Sequence, residues 1–164
     1  RRIVSRIRRD TRFTKDKSPY RSHMWLSFHP MSKPKWACFG LYYDISPDCS
    51  CYGGGFYDSD PARARWMRAL LLRRQREFVQ ILTDPAFAAH YRILGEDYKR
   101  IEIPEELHPA LRDLYRKKNF YVEHNDGLDP RISRPEYAQE IGDGMLLLKP
   151  LYQLLTNEYG DFTE

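Results

Sequence analysis

Tyr52-Gly53-Gly54-Gly55-Phe56-Tyr57-Asp58-Ser59-Asp60-Pro61-Ala62-Arg63 is where the chain changes period. Upstream, apolar and polar residues alternate with a period of two, the mark of half-buried strands. Downstream, Met67, Leu70, Leu71, Phe78 and Ile81 recur at helical spacing, a core-facing stripe that runs to Leu82. Asp60-Pro61 supplies the N-cap and N1 proline of that helix, and Tyr52–Tyr57 reads as a strand interrupted by three glycines. The glycines could offer backbone N–H groups to a phosphate, but their spacing fits no dinucleotide or P-loop pattern. A bulge, or close approach of another backbone within a sheet, is the simpler expectation.

Working back from this junction, Trp36 to Ile45 is rich in aromatic and β-favouring residues and closes on the turn Ser46-Pro47-Asp48. Met24-Trp25-Leu26-Ser27-Phe28-His29 alternates with Met24, Leu26 and Phe28 inward, and Ser32-Lys33-Pro34 reads as a turn. A further strand is expected from Ile3 to Phe13, with Ile3, Ser5, Ile7, Thr11 and Phe13 on one face and Val4, Arg6, Arg8, Asp10 and Arg12 on the other. The connections are too short for helical crossovers, so the sheet is an antiparallel meander.

Working forward, Asp84-Pro85 starts a shorter helix through Tyr91, and Pro109 to Lys117 is expected to be helical. Phe120-Tyr121-Val122 reads as a late strand, and Arg134 to Leu155 as one or two helices broken at Pro150. Strands first and helices later predict an α+β domain, with helices of the C-terminal half packed on one face of a sheet formed by the N-terminal half. At 164 residues and 41% hydrophobic, the chain suffices for one cored domain, 1–164, and falls short of two.

The net charge of +4 is unevenly spread: residues 1–35 hold eleven Lys and Arg against Asp10 and Asp16, a net +9, which leaves −5 for the rest. Such segregation attracts phosphate and other anions, or is balanced by an acidic neighbour. No window offers the roughly 18 apolar residues of a membrane span, and no signal-like stretch follows Arg1, so a cytoplasmic protein is expected. The chain opens without Met, directly in a strand-like segment, which suggests a missing N-terminal segment. Cys38, Cys49 and Cys51 are odd in number and lack finger-like spacing to other ligands, so reduced thiols and no metal are expected.

Arg6-x-x-Arg9-Asp10-x-Arg12-Phe13-x-x-Asp16-Lys17-x-x-Tyr20 resembles the hallmark motif of the domain of unknown function 2461, a family of bacteria and fungi. The likeness extends through Phe39 to Tyr43, Gly53 to Tyr57, Asp60-Pro61, Lys117-Lys118-x-Phe120-Tyr121 and Pro150-Leu151-Tyr152. It implies a shared fold and a helical segment ahead of the motif, and no activity, cofactor or substrate.

Within the motif, Arg9, Arg12, Lys17 and Tyr20 are the candidate contacts of a small anionic ligand, phosphate- or carboxylate-bearing, because arginine forks match such groups bidentately. Asp10 is the candidate acid/base or metal ligand, or the group that orients Arg9 or Arg12. The competing expectation is a non-catalytic interaction module for protein or nucleic acid, in which Asp10 and Asp16 pair with these arginines as a structural ion network. His23 and His29 lie near enough in sequence for proton transfer, without a supporting pattern. Arg63, Arg65, Arg68, Arg73, Arg74 and Arg76 stud the first helix and could meet nucleic acid, although no recognised nucleic-acid motif is present.

Overall fold

The computed structural model describes residues 3–30 and 38–159. Three consecutive strands, β1 (Met24–Phe28), β2 (Gly40–Ile45) and β3 (Ser50–Phe56), form the expected antiparallel meander. Two later strands, β4 (Arg92–Leu94) and β5 (Phe120–Gly127), extend it to five antiparallel strands in the order β1-β2-β3-β5-β4. The expected Ser32–Lys33–Pro34 turn and the first residues of the Trp36–Ile45 strand lie outside the described residues.

Cross-strand register assigns the faces. Leu26, Tyr43, Tyr52 and His124 are mutual neighbours across the sheet, as are Leu41, Gly54 and Val122, and they share one face. The helices cover that face: α1 (Pro61–Arg73), α2 (Gln75–Leu82), α3 (Pro85–His90), α4 (Arg112–Tyr115), α5 (Pro135–Leu146) and α6 (Lys149–Tyr159). The core between the layers contains Phe39, Tyr52, Phe56, Leu70, Leu71, Phe78, Val122, Leu148, Leu151 and Leu155. The fold is therefore α+β, with the helical layer on one side.

The Asp-Pro pairs act as the sequence suggests. Asp60 accepts from Ala62 N at 2.9 Å, and Asp84 from Ala86 N and Phe87 N, each at 3.0 Å. The long first helix, however, breaks at Arg74, which adopts φ −120°, ψ 36° without any glycine or proline. Arg73 and Arg74 both pair there with Glu158 of α6, so a distant carboxylate holds the junction. Pro150 falls in the first turn of α6 instead of ending a helix, because a missing N–H costs nothing at that position.

Segment 3–13 differs most from expectation. It meets β1 at an isolated Val4–Leu26 bridge, with Ser5 N to Trp25 O at 2.8 Å, Ser27 N to Ile3 O at 2.9 Å and Trp25 N to Ser5 Oγ at 3.1 Å, and then folds back so that Arg8 bridges Tyr20. Ile3, Ile7 and Phe13 are 51%, 58% and 90% exposed, so the expected apolar face covers nothing. Period-two alternation predicted a half-buried strand, but neither sheet pairing nor the helical layer reaches this far along the chain.

The three glycines sit inside β3, and the bulge lies upstream of them, between Ser50 and Cys51. A Cβ on Gly54 would stand 2.5 Å from the Phe39 ring and 2.9 Å from Leu41 Cδ2. On Gly53 and Gly55 it would overlap the backbone of β5. Close backbone approach is thus the physical reason for the run.

Candidate functional site

Within segment 6–20, the candidate residues are held by neighbours in the same segment. Arg12 forks onto Asp10, with Nε to Oδ1 at 2.9 Å and Nη2 to Oδ2 at 2.6 Å. Arg9 Nη1 pairs with Asp16, whose other oxygen accepts from Ser18 N at 2.9 Å. Lys17 Nζ donates to the carbonyl of Thr11 at 2.7 Å, and Tyr20, 57% exposed, meets Arg8 through the backbone. The hydrogen bonds of Arg12, with the charges of Arg21 and Arg6, keep the Asp10 carboxyl below its usual range, as the hydrogen bonds of Ser18 and the charge of Arg9 do for Asp16. An anion binding here has to displace or share these partners. His23, for which the sequence offered no catalytic pattern, places Nδ1 3.0 Å from Asp44 Oδ2 on β2.

A concavity of about 600 Å³ lies elsewhere, on the sheet face that carries no helices. Two rows of the sheet build it. In one, Ser27, Tyr42, Gly53 and Glu123 are successive cross-strand neighbours, and Tyr42 OH reaches over the glycine to donate to Glu123 Oε2 at 2.6 Å. In the other, Gly40 lies opposite Gly55 and Gly55 opposite Tyr121, which leaves a bare floor two strands wide. Tyr57 overhangs this floor, its ring 5.0 Å from Tyr121 and edge-on to Tyr42 at 5.1 Å. Trp25, Asp44 and Cys51 close one end, and Arg63, over the Phe56 ring at 5.1 Å, lines the other. Burial, and then the charge of Asp44, push the Glu123 carboxyl up from its ordinary value.

Behind the sheet, a second polar constellation is packed under α5. Tyr137 OH donates to Asp126 Oδ2 at 2.8 Å and lies 2.7 Å from the fully buried Ser50 hydroxyl. Asp126 Oδ1 also accepts from Arg131 Nη2 at 3.1 Å and lies 3.2 Å from His124 Nε2. The His124 ring stacks on His90 at 3.9 Å, and Tyr52 OH meets His90 Nε2 at 2.7 Å, an acceptor only while that ring is neutral. Burial raises the Tyr52 phenol to about 12. Gly144 lets α5 approach, since a Cβ there would collide with Tyr52 and stand 2.8 Å from His90 Nε2. Its members are satisfied by one another, which marks this set as an architectural network.

That network makes acid stability predictable. Burial, then His124, hold His90 below its ordinary 6.5; the unfolded chain therefore takes up this proton first, and stability declines as pH falls below 6.5. Burial alone would raise Asp126, but its hydrogen bonds from Tyr137 and His124 outweigh it, so a second decline begins below 3.8. Wild-type urea midpoints are expected to fall between about pH 7.5 and 5.5, and His90→Gln to flatten that first decline. An unchanged slope in the variant would assign it to another group.

Neither constellation was visible in the sequence. The cleft needs the β2–β3–β5 register, and Ser50, His90, Asp126 and Tyr137 meet across up to 87 residues of chain. The one available signal was the glycine run, which had to mean a surface stripped of side chains on both faces. Of the helix arginines, Arg68 lies over Tyr98 at 5.1 Å, and Arg73 and Arg74 pair with Glu158. No helix among the described residues is long and apolar enough to cross a membrane, and no group of three or more His, Cys, Asp or Glu among them could hold a metal.

Residues 1–154 match a family model described as "Conserved hypothetical protein (DUF2461)". No curated protein and no solved structure matches the chain.

Proposed function

We propose, from the premise that this chain belongs to the DUF2461 family of conserved hypothetical proteins, that it is a small-molecule-binding domain whose site is the cleft on the helix-free face of the sheet. The observation that carries this is the bare Gly40–Gly55 floor beneath Tyr42, Tyr57 and Tyr121, in a concavity of about 600 Å³. Binding sites for organic ligands are concave, mostly apolar and furnished with a few convergent polar groups. Here the floor is flat, the walls are aromatic, and Asp44, Glu123 and Arg63 supply the polar contacts. Ahead of the ion-paired segment 6–20, Ile3 and Ser5 bond through the backbone to Ser27 and Trp25 of β1, and so support the rim of the cleft.

Gly40 provides the test. Among the described residues, a Cβ at this position meets Phe28 O alone, at 3.7 Å, so Gly40→Phe fills the cleft without a clash with them at its root. In a thermal-shift screen of nucleotides, sugar phosphates, carboxylates, amines and aromatic heterocycles, compounds that raise the wild-type midpoint are expected to leave Gly40→Phe unmoved. Arg12→Ala is expected to respond like wild type. Ligands that stabilise Gly40→Phe but not Arg12→Ala would instead place the site on the arginine segment, as an anion site.

A further inference from the structure

We propose that the cleft takes an organic cation, an ammonium or guanidinium group carried on a flat or aromatic body; this rests on the cleft being the binding site. Two carboxylates of neighbouring rows, Asp44 on β2 and Glu123 on β5, face the same concavity. Glycine at position 53 leaves no side chain to separate Tyr42 from Glu123, and the phenol donates to the glutamate at 2.6 Å. Asp44 has His23 Nδ1 at 3.0 Å. Among the described residues no Lys or Arg pairs with either carboxylate, whereas Asp10, Asp16, Asp126, Asp129 and Glu158 each have an arginine.

The cationic lining residue does not answer this charge. Arg63 lies at the opposite end, turned toward Asp60 at 3.8 Å and the Asp58 carbonyl at 3.4 Å. Among the described residues, the chain thus leaves Asp44 and Glu123 without a Lys or Arg partner in a half-buried aromatic cleft, where burial, and then the charge of Asp44, already disfavours ionisation of Glu123. A positive charge between them relieves that repulsion, and the faces of Tyr57 and Tyr121 add the attraction of π-systems for cations. The rim uses the same chemistry internally, with the Arg21 guanidinium over the Trp25 ring at 4.9 Å. A planar body on such a cation fits the glycine floor, where nothing projects.

The experiment compares matched probes by calorimetric titration of the full chain: benzamidinium and 2-phenylethylammonium, their neutral counterparts benzamide and 2-phenylethanol, and benzoate. Each cation is expected to bind about tenfold or more tighter than its neutral counterpart, with benzoate weakest. Glu123→Gln and Asp44→Asn are expected to lose about tenfold each for the cations while leaving the neutral probes unchanged. Because it removes a charge that the fold disfavours, Glu123→Gln is also expected to melt no lower than wild type, so loss of binding there is not loss of fold. If neutral probes bind as tightly as the cations and Gly40→Phe still excludes them, the cleft is the site and the cation inference fails. If the cations bind Gly40→Phe as well as wild type, both readings fail. No cation binding to wild type, or full competition by magnesium or calcium chloride at equal ionic strength, also overturns it.

Discussion

Gly55→Ala is expected to lower the free energy of unfolding by about 3 kcal/mol or more, toward the upper end of what overpacking costs in a well-packed interior. The added methyl would overlap the backbone of Phe120 and Tyr121, which is locked in the β3–β5 ladder. A flexible side chain could swing aside, but a backbone paired on both edges cannot, so the strand pair must separate. Gly53→Ala is expected to behave alike, against the carbonyl of Val122. Gly142→Ala, in α5 with nothing within 4 Å of its Cβ, is the internal control, and gains about 0.5–1 kcal/mol from helix propensity alone. Urea denaturation of the three variants checks the series, and near-neutral results for Gly53 and Gly55 would mean that the glycines serve the cleft and not the sheet.

Asp126→Ala carries the second large effect, about 3 kcal/mol or more, because the loss falls on the partners left behind. Tyr137 and Ser50 are buried at 3% and 0% exposure, and Tyr137 loses the acceptor of its hydroxyl proton. Arg131 keeps Asp129 and Glu140 but loses its inner contact, and His124 Nε2 loses its carboxylate. Asp126→Asn retains the shape and one acceptor, so its penalty is expected to be smaller. The same urea titrations at neutral pH separate the two, and equal penalties would show that the charge and not the hydrogen-bonded shape is what the network needs.

How far the sequence discloses this protein depends on the range of each interaction. Asp60-Pro61 and Asp84-Pro85 announce their helices because a cap and its helix are consecutive residues. The meander is legible for the same reason, its turns being short. Arg74 breaks a helix that no local rule would break, because Glu158 acts on it from 84 residues away. Arg92–Leu94 is three residues long, too short for any period to be read, and becomes a strand only because β5 is there to pair with it.

The candidate sites divide along the same line. Both sequence readings of Arg6 to Tyr20 rested on charges close together in the chain, and the structure joins Asp10 to Arg12 and Asp16 to Arg9 within that stretch. The cleft joins Trp25, Tyr42, Gly55 and Glu123 from four strands, and none of these residues is chemically unusual by itself. Segment 3–13 shows the reverse case, a strand pattern without a second layer to give its apolar residues anything to cover.

The strand order has a consequence during synthesis. The ribosome finishes β3 at residue 56, yet the strand that closes its far edge is not complete until residue 127. In the interval the nascent chain exposes a glycine-rich edge ready to accept any passing strand, and the helices made meanwhile have only the three-stranded part of the surface they are to cover. The closing contact therefore spans a long stretch of sequence, a topology that folds slowly for its size. Expression at lower temperature, where crowded nascent chains meet less often before β5 emerges, is the regime that favours soluble protein.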